Sequence, residues 1–249
     1  MSGKRTPRCQ CDKKCNLPPM EGSPFCSNHQ GYTNKSRLSG SEPPYEPAKW
    51  NKHKGPREAH NCYAYAMNFF EMESSPKCTM ESCPIPFPQP GRRVGYPKWS
   101  KVNGKRCPDV IARVLGDIPG SQRTTFDEKC PTGWRKIAFI VDEKEDYHVL
   151  RQDNTGMWSH KPGSTDVTNV DASGRPIFNP EWADFNYQDS NLNYPDSGLN
   201  YKNFCGYVCI PIGKHNLSRK GGTLRKQRKQ RKQRKQSTQR KQRKTQKHH

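Results

Sequence analysis

A predicted β-hairpin in the second half of the chain constrains its fold more than any other segment. Residues 146–153 and 157–161 have the pattern of strands, and Asn154-Thr155-Gly156 separates them as a loop. Gly156 suits the left-handed backbone position that a three-residue hairpin loop requires. The apolar run at residues 137–142 predicts a buried strand just before the hairpin. The chain is therefore expected to build an antiparallel sheet around this ribbon.

The length of the hairpin loop predicts which side chains share a face. If Asp153 pairs with Met157, then Leu150 lies opposite His160. His148 then lies on the same face as His160, as its diagonal neighbour, with Cβ atoms about 7 Å apart. A two-residue loop would instead place the two imidazoles on opposite faces. The sequence therefore predicts a histidine pair, provided that the loop has three residues.

A cysteine at the start of a predicted helix is the candidate nucleophile. Cys62 follows the polar pair His60 and Asn61 and begins an apolar stripe over residues 62–72. Unpaired N–H groups and the positive end of a helix favour a thiolate at that position. The backbone N–H of Cys62, with His60 or Asn61, is the candidate oxyanion site. The alternative is that Cys62 is a small core residue of the stripe.

Thiol catalysis needs a base near the nucleophile and a third group that orients the base. Cys62, His148 and His160 fill these three roles from a helix and two adjacent strands. His148 would take the thiol proton and later protonate the leaving amine. His160 would hold the ring of His148. If the hairpin register differs, Asn169 or Asp171 replaces His160 as the third residue.

The other cysteines of the body have weaker claims. Cys107 precedes Pro108 at the start of a second predicted helix, residues 107–115, and is the rival nucleophile. It ranks below Cys62 because proline removes one N–H donor that could hold an oxyanion. A second zinc site is considered but ranks below simple unpaired thiols, and the last two cysteines are interpreted as core thiols. These residues are Cys78, Cys83, Cys107 and Cys130 for the second zinc site, and Cys205 and Cys209 for the core.

The N-terminal cysteines predict a zinc site. Cys11, Cys15, Cys26 and His29 offer the thiolates and imidazole of a closed tetrahedral site, with Cys9 as the alternative to Cys11. The tight pair Cys26 and His29 can come from one turn. The ending Gly-Ser-x-Phe-Cys-x-x-His resembles short Cys/His knuckles of large-DNA-virus proteins. Since the segment has few apolar residues, the metal would supply most of its folding energy. The alternative is a flexible leader with incidental cysteines.

The C-terminal tail carries most of the formal net charge of +21. Residues 219–247 contain fifteen Lys or Arg and no acidic residue, largely in a three-residue repeat. Such a period builds no amphipathic stripe, so the tail is expected to be disordered alone. It could bind DNA or RNA through phosphates without reading sequence. A nuclear address or a solubilising tail remain the alternatives.

The remaining features of the composition indicate the cellular compartment. No apolar leader follows Met1, and no segment is long enough for a membrane span, so an intracellular, non-secreted protein is expected. In a reducing compartment, eleven cysteines favour metal binding and catalysis over a disulfide framework.

The order of the candidate residues resembles the NlpC-type branch of the papain-like fold. The closer resemblance is to an uncharacterised papain-like cysteine hydrolase family of giant DNA viruses and some bacteria. It implies a papain-like hydrolase and spans about residues 58–211. Arg151, Gln152 and Trp158 fall in its motifs, where they either bind substrate or lock the hairpin. The motifs lie at residues 60–66, 146–148, 151–153, 158–163, 171–174 and 204–207.

The predicted architecture is α+β, with a papain-like core of helices on an antiparallel sheet. The chain is expected to divide into a zinc knuckle at 1–30, a linker at 31–57, a catalytic domain at 58–212 and a basic tail at 213–249. The expected function is thiol hydrolysis of an amide bond in a peptide or peptidoglycan-like substrate. The alternative is a non-enzymatic, nucleic-acid-associated viral structural or replication-site protein. A virion, viral factory or host nucleus is the expected location if the chain is viral, and its oligomeric state is left open.

Overall fold

The computed structural model describes most of the chain up to residue 213. The predicted basic tail lies outside the described residues from residue 214 onward. Within the described part, no helix combines the length and apolar character needed to cross a membrane. The described residues are 7–11, 14–70, 72, 76–84, 87–97, 105–188 and 198–213.

A five-stranded antiparallel sheet forms the centre of the body, in the order β1-β5-β2-β3-β4. The predicted α+β class is confirmed at this level. The long strand β2 is buried along almost its whole length and β5 is buried over most of its second half, because protein covers both faces of the sheet there. The strands are β1 Gln122–Thr124, β2 Trp134–Asp142, β3 Asp146–Gln152, β4 Trp158–His160 and β5 Asn203–Pro211.

Four α-helices accompany the sheet within the described residues. They are α1 Pro47–Asn51, α2 Lys54–Ala59, α3 Cys62–Ala66 and α4 Cys107–Asp117. The two helices predicted at 62–72 and 107–115 are both present, but the first is shorter than expected. Asn68 adopts the left-handed conformation with φ 49°. The N–H of Phe69 then bonds the carbonyl of Ala64 at 2.9 Å, which is the bond of a Schellman motif and ends the helix.

The two faces of the sheet carry different partners. Because side chains alternate along a strand, Tyr147 and Val149 of β3 face one side and His148 and Leu150 face the other. The first side packs against α3 and α4 in the larger apolar cluster. The second side is covered by aromatic residues of the segment after β4, including Phe185. The histidine face is therefore buried under chain that has little regular secondary structure.

Six cysteines of the body form disulfides, which corrects the expectation of unpaired thiols and also rules out the less favoured second zinc site. Cys107 is bonded to a cysteine of β5, so it is not a rival nucleophile. Tertiary pairing decided this outcome, because the partners of the two longer bridges lie 79 and 98 residues apart. The bridges are Cys78–Cys83, Cys107–Cys205 and Cys130–Cys209.

The segment predicted as a linker, residues 31–57, packs along the body and contains α1 and the start of α2. Ser36 is its main anchor. The Ser36 hydroxyl donates to the carbonyl of Phe126 at 2.8 Å and accepts from the Lys136 ammonium at 2.9 Å. The Ser36 carbonyl accepts from the Gln152 amide at 2.7 Å. These bonds join the N-terminal segment to the central strands.

Candidate functional site

The hairpin has the three-residue loop that the sequence predicts. The N–H of Asp153 donates to the carbonyl of Met157 at 2.9 Å, and Gly156 has a φ of 81°. Leu150 lies opposite His160 in the β3–β4 register. The predicted register is therefore confirmed, and with it the shared face of the two histidines.

The two imidazoles of the hairpin are in direct hydrogen-bond contact. His148 Nε2 lies 2.8 Å from His160 Nδ1, and the ring planes are nearly perpendicular at 89°. Both side chains are buried, with 3% and 0% of their surface exposed. On its other side, His160 Nε2 lies 3.0 Å from the carbonyl oxygen of Val170. The Val170 carbonyl, the ring of His160 and the ring of His148 thus lie in a row that ends at Nδ1 of His148.

The Val170 carbonyl sets the direction of the hydrogen bonds in this row. A carbonyl only accepts, so His160 Nε2 carries the proton. Burial lowers the pKa of His160 to about 4, so the ring is neutral and its Nδ1 accepts. His148 Nε2 must then donate to it. Burial, with the neighbouring His160, also lowers the pKa of His148 well below its usual value. The unprotonated nitrogen of His148 is therefore Nδ1, which is the atom a general base needs.

We expect both imidazoles to stay neutral down to about pH 5, because their pKa values are lowered in the folded state. Since the unfolded chain binds these protons near its ordinary value of 6.5, the stability from neutral His160 is lost as pH falls from there towards about 4. Imidazole ¹⁵N shifts measured against pH check this, with the urea-unfolded chain as control. Protonation of folded His160 at its ordinary pKa would contradict the assignment.

The alternative third residues have other roles in the structure. The carboxylate of Asp171 accepts from the N–H groups of Ser173, Arg175 and Asp184, each at 3.0 Å, and so organises its own turn. The backbone carbonyl of Asn169 accepts a hydrogen bond from the N–H of Ile177 at 2.9 Å. His160, and neither of these residues, contacts the ring of His148.

Cys62 lies at the first position of α3, where Asn61 caps the helix by accepting from the N–H of Ala64 at 3.0 Å. Its side chain packs in the apolar cluster with Tyr147 and Val149, the two neighbours of His148 on β3. The Val149 backbone lies close enough to the Cys62 sulfur to lower the pKa of the thiol. Among the described residues, however, no hydrogen bond joins the thiol to His148. The structure thus places the Cys62 side chain against Val149, on the side of β3 opposite to the imidazole of His148.

The Cys62 thiol is protonated in this structure, contrary to the thiolate expected from the helix end. Burial raises its pKa to about 12, the Asp146 carboxylate adds to the rise, and the Val149 backbone and the Lys161 charge oppose it. Only 5% of Cys62 is exposed. Desolvation of a charged sulfur outweighs the field of a five-residue helix.

A buried lysine beside the histidine pair was missed by the sequence interpretation. Lys161 follows His160, and its ammonium donates to the carbonyls of Arg57 at 2.5 Å, Gly163 at 2.9 Å and Thr165 at 2.7 Å. All three of its donors therefore have acceptors. One side chain ties the end of β4 to α2, the helix just before Cys62. Lysine is normally exposed, so only the resemblance motif around it drew attention to this position.

The expected oxyanion residues form hydrogen bonds within the fold. The Asn61 amide donates to the carbonyl of Pro88 at 2.9 Å while its oxygen caps α3. His60 Nδ1 lies 2.7 Å from the carbonyl of Pro56, and its ring stacks on Phe70. Of the expected donors, the backbone N–H of Cys62 is the one that helix geometry leaves without an intrahelical acceptor.

Arg151, Gln152 and Trp158 all lie in the interior, as expected if they lock the hairpin. The Arg151 guanidinium bonds Asp153 at 3.1 Å and lies over the ring of Tyr65, 3.8 Å from its centroid. Gln152 anchors the N-terminal segment, and Trp158 packs against an aromatic ring of β5. None of the three is exposed to a substrate in this structure.

The N-terminal segment brings together a group that could hold a metal ion: Cys9, Cys15, Cys26 and His29, whose ligand atoms all lie within 4.8 Å of one another. The Cys15 sulfur is 3.8 Å from the Cys26 sulfur and 3.7 Å from His29 Nδ1. A tetrahedral zinc site with Zn–S bonds of about 2.3 Å has ligand separations of about 3.8 Å. The donor set and its spacing therefore fit such an ion.

Cys9, rather than the favoured Cys11, completes this group. The N–H of Cys26 donates to the Cys9 sulfur at 3.2 Å, so Cys9 lies against the turn that carries the other ligands. Cys11 is buried with its sulfur 3.1 Å from that of Cys9, but it lies outside the set. The sequence spacing alone did not show which of the two cysteines, Cys9 or Cys11, points towards the other ligands.

Comparison with known proteins gives one informative relative. No family model matches the chain, and no solved structure matches it. Insoluble matrix shell protein 1 of Ruditapes philippinarum is 35% identical over 141 residues, which cover 56% of this chain and 80% of that protein. Identity at this level over most of the relative's length establishes common descent. The chain belongs to the family of insoluble matrix shell protein 1.

Proposed function

We propose that the chain is a thiol hydrolase that cleaves an amide bond in a peptide or peptidoglycan-like substrate. The single observation that carries the proposal is the directed row of hydrogen bonds from the Val170 carbonyl through His160 to His148. This row leaves a basic nitrogen on the strand whose next residue contacts the Cys62 sulfur.

The proposed reaction begins from a neutral thiol and a neutral imidazole. As the Cys62 sulfur attacks the amide carbon, its proton moves to His148 Nδ1. The Nε2–H bond to His160 stabilises the imidazolium that forms. The backbone N–H of Cys62 is the candidate donor to the oxyanion. His148 then protonates the leaving amine, and water hydrolyses the thioester, which returns the thiol and releases the acid.

The first step requires a local rearrangement of the site. Cys62 packs with Tyr147 and Val149, whereas His148 faces the opposite side of β3, so rotation of the thiol alone does not bring the sulfur to the imidazole. The start of α3 or this part of β3 must shift for the two groups to meet. The Lys161 ammonium, whose charge lowers the pKa of Cys62, stabilises the sulfur anion as the proton leaves.

Two finer assignments accompany this function. The order of helix, strands and site residues supports a papain-like, NlpC-type core, and the Cys/His group before it supports a zinc knuckle. Zinc is the ion that best suits three thiolates and an imidazole in tetrahedral spacing. For the tail, outside the described residues, we retain phosphate binding to DNA or RNA as the expected role.

A second candidate function is that of a structural component of an insoluble protein matrix. The name of the relative supports it, and so does the burial of Cys62. Three disulfides support an oxidising compartment for such a protein, in place of the intracellular location expected from the sequence. In this case the histidine pair would only stabilise the hairpin.

Iodoacetamide alkylation of the folded, zinc-loaded chain, followed by peptide mass spectrometry, tests the hydrolase proposal. We expect a library of peptidyl coumarin amides to be cleaved. Because Cys62 is buried and protonated at rest, we expect its alkylation to be slow and to occur only as the site opens. Cys62→Ala should abolish cleavage. His148→Gln should lower it by about 10²-fold or more, because proton transfer contributes about that factor.

His53→Gln is the matched control, since His53 lies outside the row and is partly exposed. It should leave both alkylation and cleavage unchanged. If no amide is cleaved and Cys62 stays unmodified in the folded chain, the hydrolase proposal is lost and the matrix function is favoured. If His148→Gln and His53→Gln lower cleavage by the same factor, the effect at His148 is not specific and His148 is not the base.

A further inference from the structure

The Cys/His group docks on the body through a glutamine placed between two of its cysteines. Gln10 is 1% exposed, and its carbonyl oxygen accepts from the N–H of Phe178 at 2.8 Å and of Asn179 at 3.0 Å. Its amide donates to the carbonyl of Pro176 at 3.3 Å. A glutamine side chain thus satisfies three backbone groups of one loop, which is more than packing alone requires.

Aromatic contacts reinforce the same docking. The ring of Phe25, next to the ligand Cys26, packs edge-on against Phe178 with centroids 4.8 Å apart. Tyr32 contacts the same ring at 5.7 Å. The Gln10 backbone N–H donates to the carbonyl of Pro24 at 2.8 Å, so the two ends of the loop between Cys9 and Cys26 are hydrogen-bonded to each other. The residues that dock on the body are therefore carried by a loop that is closed in this structure.

The docked loop is the outer end of the segment that holds His160. Ile177 pairs with Trp158 of β4, and Val170 pairs with Pro176 across a short turn. The backbone of His160 exchanges two hydrogen bonds with Thr168, at 2.8 and 2.9 Å. Residues 168–179, which we call the support segment, therefore contact Gln10 at one end and provide the Val170 carbonyl at the other.

We propose that a metal ion in the Cys/His group holds the support segment in place and thereby fixes the tautomer of His160, with Gln10 as the positioning residue. The ion closes the Cys9–Cys26 loop, the loop presents Gln10 and Phe25, and these hold residues 176–179. The inference rests on the proposed function, because it gives the metal group a role at the proposed base. It makes this group a part of the site rather than a separate domain.

Hydrogen exchange of the His160 imidazole N–H, followed by ¹⁵N NMR on the full chain, tests the inference without any substrate. In the Zn²⁺-loaded chain this proton should be protected. Removing Zn²⁺ with a chelator should speed its exchange by about tenfold or more, because the support segment opens locally. Gln10→Ala should do the same while the chain still binds one equivalent of Zn²⁺.

Gln30→Ala is the matched control, because Gln30 lies in the same N-terminal segment as Gln10 but is exposed. It should leave exchange unchanged, and protected amides of β2 should confirm that every variant is folded. If His160 exchanges equally in the loaded, chelated and Gln10→Ala chains, the inference is overturned. That result would leave the hydrolase proposal standing, since Cys62 alkylation tests it separately.

Discussion

Replacing Cys107 and Cys205 with serine should lower the free energy of unfolding by about 4 to 5 kcal/mol. The bridge closes a loop of 98 residues, and a loop of that size constrains the unfolded chain by about 4.7 kcal/mol. It also joins the first residue of α4 to β5, so its loss removes a covalent link between this helix and the sheet, which apolar packing alone must then hold together. Urea unfolding under non-reducing conditions measures the change.

The short Cys78–Cys83 bridge is the matched control for loop length. Its sequence separation is 5, so the same relation predicts a loss of about 2 kcal/mol. If the two double variants lose equal stability, the loop-length argument fails. If neither loses stability, the chain folds with reduced thiols, and the original expectation of a reducing compartment regains its support.

Arg151→Met should destabilise the fold by about 3 to 5 kcal/mol, because it leaves the buried Asp153 carboxylate without its partner. The guanidinium also donates to the carbonyls of Tyr65 and Pro44 and to the side chain of Asn68. One residue therefore links β3 to the helix that carries Cys62. Thermal and urea unfolding of the variant measure the loss.

Two companion variants separate charge burial from general damage. Adding Asp153→Asn to Arg151→Met should recover part of the stability, because it removes the unpaired charge. Arg106→Met breaks an exposed pair with Asp109 and should cost less than about 1 kcal/mol. A loss at Arg151 no larger than that at Arg106 would show that the buried pair contributes little.

The histidine pair illustrates how far local sequence can reach. Loop length and the alternation of side chains were enough to predict that His148 and His160 share a face, because both are short-range properties of a hairpin. The Val170 carbonyl could not be predicted in the same way. It reaches His160 through an irregular segment that contacts β4 and the N-terminal Cys/His segment, which lie far from it in the sequence.

Cys62 illustrates the opposite case. Its position at a helix start was predicted correctly, but the state of its thiol was not. Local signals such as the helix end favour a thiolate, whereas burial by the facing strand raises the pKa. Because desolvation depends on everything that surrounds the sulfur, no spacing within the sequence reports it.

The sequence by itself determined the α+β class, the hairpin register, the starts of α3 and α4 and a Cys/His group near the N terminus that could hold a metal ion. All of these depend on residues close together in the chain. Only the tertiary structure decided the three disulfides, the choice of Cys9, the buried Lys161 and the protonated Cys62. Each of these depends on which distant segments meet and exclude water, and that is a property of the packed chain as a whole.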